Sequence, residues 1–359
     1  MKISKIEINN FRNIESMTLE PSRKTNIIYG MNAQGKTNLI EAVWMFSGLK
    51  SFRGAHDKEL IKFGCDSAKL KLQYMGGGLE NTAEINIAEK RSFKINGVEL
   101  KSPAEMTEES NIVVFSPDQL SIIKDGPSLR RGFINTAISS IYKTYGENLK
   151  KYNRILQQRN AVLKDAKYSR YIYDMIVDYD NVLAAYGEKI VTARKRYVER
   201  IMEFLPNILG GLTNKREFVI CSYKTEGLSE GSADEIKQRL KENREEDISA
   251  GSTSVGPHRD DLSFTINDID VRSFGSQGQQ RSVMLALKLA EAELMAEISG
   301  EKPIALLDDV MSELDPQRQD YILNHIKDWQ VFITCCEPSS IERLEGGKTF
   351  NIEGGKIVK

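Results

Sequence analysis

The chain has 359 residues, 40% of them hydrophobic, and its 50 Lys and Arg against 51 Asp and Glu leave a net charge of −1. That length supports one large or two ordinary globular domains. The near-neutral balance gives no bulk attraction to polyanions, and no run of roughly 18 apolar residues offers a membrane span. Met1–Ile8 alternates polar and apolar residues and lacks the apolar centre of a secretion signal. Cys65, Cys221, Cys335 and Cys336 form neither a CxxC pair nor a zinc-spaced cluster. A cytoplasmic protein with reduced thiols and no membrane partner is expected.

Lys2–Asn10, Thr25–Tyr29, Lys69–Tyr74, Thr82–Ala88 and Asn111–Phe115 are short apolar or alternating runs bounded by Gly, Asn or Pro, and read as strands. Directly after the second comes Gly30-Met31-Asn32-Ala33-Gln34-Gly35-Lys36-Thr37, and then Lys36–Phe46 with helical spacing. Strand, glycine loop and helix are the setting of a P-loop rather than of an incidental glycine turn. Backbone N–H groups at the helix start bind phosphate oxygens, Lys36 neutralises the β and γ phosphates, and Thr37 can ligate Mg²⁺. ATP is the ligand this loop points to.

From Gly126 to about Leu209 apolar residues recur three and four apart, with few Gly or Pro. A helical insertion is expected, with two or three helices of about 20 residues between Tyr142 and Leu205 and no extended coiled coil. Lys124–Arg216 carries 18 Lys and Arg against 9 Asp and Glu, so positive charge gathers here. Lys143, Lys150, Lys151, Arg154, Arg159, Lys164, Lys167, Arg170, Lys189, Arg194, Lys195 and Arg196 are interleaved with tyrosines. They read either as solvated helix faces or as a surface that neutralises DNA phosphates without reading bases. Gly227–Asp247 reads as a loop plus a surface helix.

After Gly256 the expected elements are a hairpin near Leu262–Val271, a helix from about Gln277 to Ile298, a strand at Ile304–Leu307, a helix at Pro316–Trp329 and a strand at Val331–Cys335. The strand Ile304–Leu307 ends in Asp308 and Asp309, the form of a Walker B site. Asp308 is delivered beside the P-loop to hold Mg²⁺, and Asp309 is placed to orient or deprotonate an attacking water. Ser276-Gln277-Gly278-Gln279-Gln280-Arg281 opens the long helix; Ser276 suits a cap, and the polar run is a second phosphate-friendly surface.

Together these motifs resemble the ABC-type ATPases and, more narrowly, the RecF family of bacterial recombination-mediator ATPases, related to SMC heads. Asn10-Phe11-Arg12-Asn13, Gly30–Asn38, Ser51-Phe52-Arg53, Gly256-Pro257-His258-Arg259-Asp260-Asp261-Leu262, Gly275–Arg281 and Leu307–Asp315 carry the likeness over nearly the whole chain. It implies an α/β ABC-type ATPase head with a mixed-sheet lobe, residues 1–115 and 255–359. A mainly helical lobe, 116–254, is inserted between Walker A and the signature.

The same resemblance implies that Gly30, Met31, Asn32, Ala33, Gln34, Gly35, Lys36, Thr37 and Asn38 bind ATP. Thr37 and Asp308 take Mg²⁺, with either Asp118 or Gln119 bridging the metal, and Lys36 and Asp309 are the catalytic pair. Arg12 and Arg53 are either nucleotide contacts or solvated arginines. Ser276, Gln277, Gly278, Gln279, Gln280 and Arg281 of a second copy close the site, and Ser312 and Asp315 form the D-loop. It further implies an ATP-dependent homodimer on double-stranded or gapped DNA, with weak DNA-stimulated hydrolysis. RecA loading with RecR and RecO would follow, in repair, fork maintenance and the SOS response.

The chain departs from the ABC pattern at Cys335-Cys336, which stand where a switch histidine would follow the last strand. His258, at a glycine-proline turn, reads as structural. The competing readings are an ABC transporter-type ATPase subunit, an SMC-like structural ATPase and a small-molecule P-loop kinase.

Overall fold

Residues 1–120, 122–165, 170–337 and 347–358 are described by a computed structural model, and they divide into two units. The first comprises Met1–Ser121, Asn207–Glu217 and Arg281–Lys359, the second Ile122–Pro206 and Phe218–Gln280.

Two six-stranded sheets build the first unit. One runs β2 (Ile14–Leu19), β1 (Lys2–Phe11), β4 (Ala68–Gly76), β5 (Leu79–Ile87), β6 (Ser92–Ile95) and β7 (Val98–Glu99), antiparallel throughout. Ile6, Ile8, Leu70, Leu72, Ile85 and Ile87 are buried on one face while Lys69, Lys71 and Glu84 lie on the other, the period of two that a half-covered sheet requires. The other runs β15 (Lys356–Ile357), β14 (Lys348–Glu353), β3 (Thr25–Tyr29), β13 (Gln330–Cys335), β12 (Ile304–Leu307) and β8 (Ile112–Phe115). From β14 to β8 it is parallel, and β8, β12 and β13 are buried along their whole length. Continuous apolar runs are what parallel strands covered on both faces need. The helix Lys36–Trp44 packs on β1 of one sheet and on β13 and β8 of the other. Its Leu39, Ile40, Val43 and Trp44 join Ile6, Leu72, Leu306 and Phe332 in one core. Because β3, β13 and β12 are parallel neighbours, the loops leaving their C-terminal ends converge on one edge, where open α/β sheets bind ligands.

The second unit contains the helices Pro127–Ile141, Lys143–Asp165, Arg170–Met202, Ala233–Glu242 and Arg244–Ala250, with a three-stranded sheet of β11 (Ile269–Asp270), β10 (Asp261–Ile266) and β9 (Val219–Lys224). The boundary expected at 254/255 differs from this division: Val255–Gln280 groups with the helices. The reason is that β10 pairs along its length with β9, and Arg130 grips Asp261 through two 2.7 Å hydrogen bonds. Two long helices, of 23 and 33 residues, occupy the span expected to hold two or three of about 20.

The cations Arg159 and Arg194 need a correction. Arg159 is fully buried, 2.7 Å from both Asp180 and Asp247 and 2.9 Å from the Thr253 hydroxyl; Arg244 completes the cluster on Asp180 at 2.9 Å. Arg194 is equally enclosed, donating to Tyr145 and Tyr223 hydroxyls, Asn135 Oδ1 and Pro257 O. Neither can meet a DNA phosphate. Lys167 and the side chain of Arg170 lie outside the described residues. Lys150, Lys151, Arg154, Lys164, Lys189 and Arg196 are exposed; Lys143 and Lys195 are half-buried, with Lys195 Nζ 2.8 Å from Glu230 O.

His258 has the structural place expected of it. Nε2 lies 3.0 Å from the Thr253 carbonyl, which only accepts, so Nε2 carries the hydrogen and Nδ1 receives the Tyr152 hydroxyl at 2.7 Å. Burial lowers its pKa to about 4. The unfolded chain would protonate His258 near pH 6.5 and the folded one only near 4, so stability is lost as pH falls through that window. The full loss is about 3 kcal/mol. Urea unfolding at pH 7.5 and pH 4.5 is expected to show most of this loss in the wild type and a smaller pH difference in His258→Asn.

Candidate nucleotide site

The chain leaves β3 through two glycines in left-handed conformations, Gly30 with φ 149° and Gly35 with φ 109°. A Cβ at Gly30 would lie 2.4 Å from Ile352 O, and one at Gly35 would lie 2.8 Å from Asn13 Oδ1. Between them Gln34 is anchored to the turn joining β14 and β15: its O accepts from Gly355 N at 2.9 Å and its Oε1 from Gly354 N at 2.6 Å. Asn38 donates to Asn13 at 2.8 Å. Met31, Asn32 and Ala33 are exposed on the rim of the loop. Lys36, only 4% exposed, donates to Gly30 O at 2.7 Å and Met31 O at 3.1 Å. The result is a formed cradle with one ammonium inside it, at the start of a helix whose first N–H groups need acceptors.

Asp308, at the end of β12, is 5% exposed. Its Oδ1 accepts from Thr37 Oγ1 and from Thr334 Oγ1, each at 2.9 Å. Burial raises its pKa, with the charge of Asp309 adding to the effect and the two hydroxyls opposing it. A buried acid with neutral donors gains from a nearby cation, and the oxygen-only pair Thr37 and Asp308 suits Mg²⁺, which takes few protein ligands beside phosphate oxygens. Asp309 has a left-handed backbone, φ 51°, held by its N–H to Thr334 Oγ1 at 2.8 Å and by Ser312 Oγ donating to its O at 2.7 Å. Asp315 caps the helix Pro316–His325, accepting from Arg318 N at 3.1 Å. On the far side of β12, just after β8, Ser116 Oγ and Gln119 Oε1 are buried without a hydrogen-bond partner among the described residues. The side chain of Asp118 lies outside the described residues.

Sequence reasoning missed Glu41. It is fully buried, and Arg12 grips it through Nε at 2.9 Å and a second nitrogen at 3.0 Å, with Ser51 donating to the same carboxylate. Arg12 also donates to Glu59 O at 3.1 Å, so its guanidinium is committed to the protein. Arg53, 40% exposed, holds Asn38 Oδ1 at 3.1 Å and opens onto a groove of about 1220 Å³ lined by Asn13, Lys58, Lys62 and the exposed Phe63. The signal for Glu41 was a lone acid inside the apolar stretch Leu39-Ile40-Glu41-Ala42-Val43-Trp44.

In the second unit, Ser276 forms a reciprocal cap with Gln279: Gln279 N donates to Ser276 Oγ at 3.2 Å and Ser276 N to Gln279 Oε1 at 2.9 Å. Ser276, Gln277 and Gly278 are exposed beside an exposed Phe274. Gln280 is buried and donates to Val271 O and Gly275 O, and Arg281 pairs with Glu313 at 2.7 Å. Of the six residues expected to face a ligand, Gln280 is turned inward, while Arg281 keeps a 41% exposed side chain in its pair with Glu313. All four cysteines are free; burial pushes the Cys335 thiol up to about 11, and the exposed Cys336 Sγ lies 3.2 Å from the P-loop's Asn32 Oδ1.

Asp308→Asn is expected to leave the nucleotide-free protein as stable as the wild type, because it removes a buried charge and keeps the shape. On the expectation that Asp308 holds Mg²⁺, it should lose the Mg²⁺-dependent part of an ATP stabilisation that totals about 2.7 kcal/mol at ligand near a hundredfold over Kd. Thermal unfolding with ATP, with and without EDTA, measures it.

A parallel sheet bearing a P-loop on one strand and paired carboxylates on another, with an antiparallel sheet packed over the same helix, defines an ABC-type ATPase head. Residues 2–352 match the RecF/RecN/SMC N-terminal domain. The chain is 39% identical over 364 residues to the DNA replication and repair protein RecF of Clostridium acetobutylicum, covering all of both chains. The solved structure of the recombination mediator protein RecF with ATP, from the RecFOR pathway, matches with a TM-score of 0.91 at 37% identity, over 99% of this chain and 96% of that one. The Smc head domain of Pyrococcus furiosus shares the fold, with a TM-score of 0.57 at 15% identity over 99% of this chain and 96% of that one. The chain belongs to the RecF family of ATP-binding DNA replication and repair proteins. These matches do not favour the transporter-type or SMC-like structural readings, and no helix among the described residues is long and apolar enough to cross a membrane.

Proposed function

We propose that the chain is a cytoplasmic, ATP-driven switch that holds double-stranded or gapped DNA during recombinational repair. The observation that carries this reading is the unbroken hydrogen-bonded chain Thr37–Asp308–Thr334–Asp309, which ties the P-loop to both acids. In this reading Gly30–Asn38 cradle the phosphates, Lys36 leaves its two carbonyls for them, and the nucleoside turns toward the groove beside Arg53. Arg12 acts by fixing Glu41 and the groove wall. Thr37 and Asp308 hold Mg²⁺, with Gln119 favoured as the third contributor by its unpartnered buried carbonyl oxygen. Mg²⁺ held there would offset the negative charge of the phosphates. Asp309 orients the attacking water and accepts its proton.

Ser276, Gln277 and Gly278 of a second copy complete the site, supported by their exposure at a helix start, with Ser312 and Asp315 on the adjoining D-loop. ATP then becomes a ligand of the dimer and shifts the monomer–dimer equilibrium. Exposed Lys150, Lys151, Arg154 and Arg196, with Lys143 and Lys195, neutralise DNA phosphates, giving salt-sensitive retention and a weak DNA-stimulated turnover. RecR and RecO are the proposed partners, since a similar solved protein is named within the RecFOR pathway. Size-exclusion chromatography with ATP or ADP, with and without duplex DNA, tests the switch. ATP should produce a dimer and DNA retention in the wild type and not in Lys36→Met; a wild type that stays monomeric with ATP and DNA sinks it.

A further inference from the structure

We propose that Thr334 is a positioning residue of this ATPase, whose single hydroxyl orients Asp308 and fixes the backbone of Asp309. The inference rests on the Mg-ATP reading above and deepens it. Thr334 is fully buried in β13, the strand between the P-loop strand β3 and the acid-bearing β12. Its neighbours Val331, Phe332 and Ile333 are apolar, so packing alone would be served as well by valine.

The direction of each hydrogen bond is determined by its partner. Asp309 N–H can only donate, so Thr334 Oγ1 accepts it at 2.8 Å and its own hydrogen goes to Asp308 Oδ1 at 2.9 Å. Thr37 Oγ1 donates to that same oxygen. Two hydroxyls therefore converge on Oδ1, and Oδ2 makes no hydrogen bond among the described residues. One oxygen is fixed by the protein and the other is left for a cation. The same Thr334 oxygen pins the peptide of Asp309, which stands in the left-handed region at φ 51° without being glycine. Removing the hydroxyl frees the rotation of Asp308 and the turn at Asp309 together. The cradle around Lys36 keeps its hydrogen bonds, because among the described residues none joins Thr334 to Gly30–Lys36; Thr37 alone in the loop shares the Asp308 oxygen.

The test compares Thr334→Val and Thr334→Ser, with Asp308→Asn as control. Three quantities are read: ATP affinity in EDTA, the Mg²⁺ concentration at the midpoint of the ATP-bound thermal shift, and kcat. For Thr334→Val, ATP affinity in EDTA should stay within about twofold, the Mg²⁺ midpoint should rise at least about tenfold, and kcat should fall about a hundredfold. Thr334→Ser should stay within about threefold of the wild type, because it keeps the hydroxyl. If Thr334→Val fails to fold, Thr334→Cys replaces it, keeping the volume with a poor acceptor for the Asp309 N–H. A wild-type midpoint in the valine or cysteine variant overturns the inference. So does a serine variant as impaired as valine, or a loss of ATP affinity in EDTA matching the loss in Mg²⁺. If Asp308→Asn shifts the midpoint while Thr334→Val does not, only the positioning role falls. If Asp308→Asn also matches the wild type, the metal reading and this inference fall together.

Discussion

Lys36→Met is expected to lower ATP affinity at least about a hundredfold while leaving the nucleotide-free protein folded. Methionine keeps most of the buried stem that Lys36 lays through the loop, so packing survives. What is lost is the ammonium that Lys36 places inside a cradle meant to accept several phosphate charges. At about 4 Å and an effective dielectric near 20, a single opposite charge is worth about 4 kcal/mol, more than two powers of ten in affinity. In the absence of nucleotide the substitution frees only Gly30 O and Met31 O. Calorimetric titration with ATP beside circular dichroism of the free protein separates the two effects. Affinity within threefold of the wild type would remove Lys36 from the phosphate site.

Arg159→Met should destabilise the second unit by more than about 3 kcal/mol, the usual penalty for breaking a buried ion pair from one side. Two acids lose their shared partner. Asp180 retains Arg244 at 2.9 Å, whereas fully buried Asp247 keeps the neutral donor Ser254 N at 2.9 Å. Arg159→Lys should recover only part of the loss, since a point charge cannot span two carboxylates and Thr253 together. The double variant Arg159→Met/Asp247→Asn should be less damaged than the sum of the singles, because it removes the stranded charge along with its partner. Urea unfolding of the wild type, the three single variants Arg159→Met, Arg159→Lys and Asp247→Asn, and the double variant measures this, and a loss under about 1 kcal/mol in Arg159→Met would mean that the cluster adds little.

The site was legible in the sequence wherever its parts are contiguous. Gly30–Thr37 between a strand and a helix, and Ile304–Leu307 running into Asp308-Asp309, each carry their geometry locally. The partners of Glu41 and Thr334, 10 to 29 residues away, and of Gln34, 320 residues from Gly354, were not legible, because the fold and not the local pattern brings them together. Elements behaved likewise. The apolar strands β3, β8, β12 and β13 announce themselves, while β2, β7, β14 and β15 are short or polar and exist through pairing with neighbours. The helix expected over Pro316–Trp329 ends at His325, since Ile326 and Trp329 continue the apolar spacing after the chain has already turned. Arg159 shows the opposite error. It follows Tyr145 and Tyr152 at intervals of seven, the spacing of a buried stripe, and its position was more informative than its charge.

The anchoring of Gln34 by the Gly354-Gly355 turn bears on how fast nucleotide comes and goes. A loop already clamped to its own sheet does not have to be ordered by the phosphates, so little of the binding energy is spent on lost loop freedom. Capture should then be governed by diffusion, with affinity tuned through residence time. The turn at Gly354-Gly355, which lies outside the P-loop, would then help to set how long ATP stays.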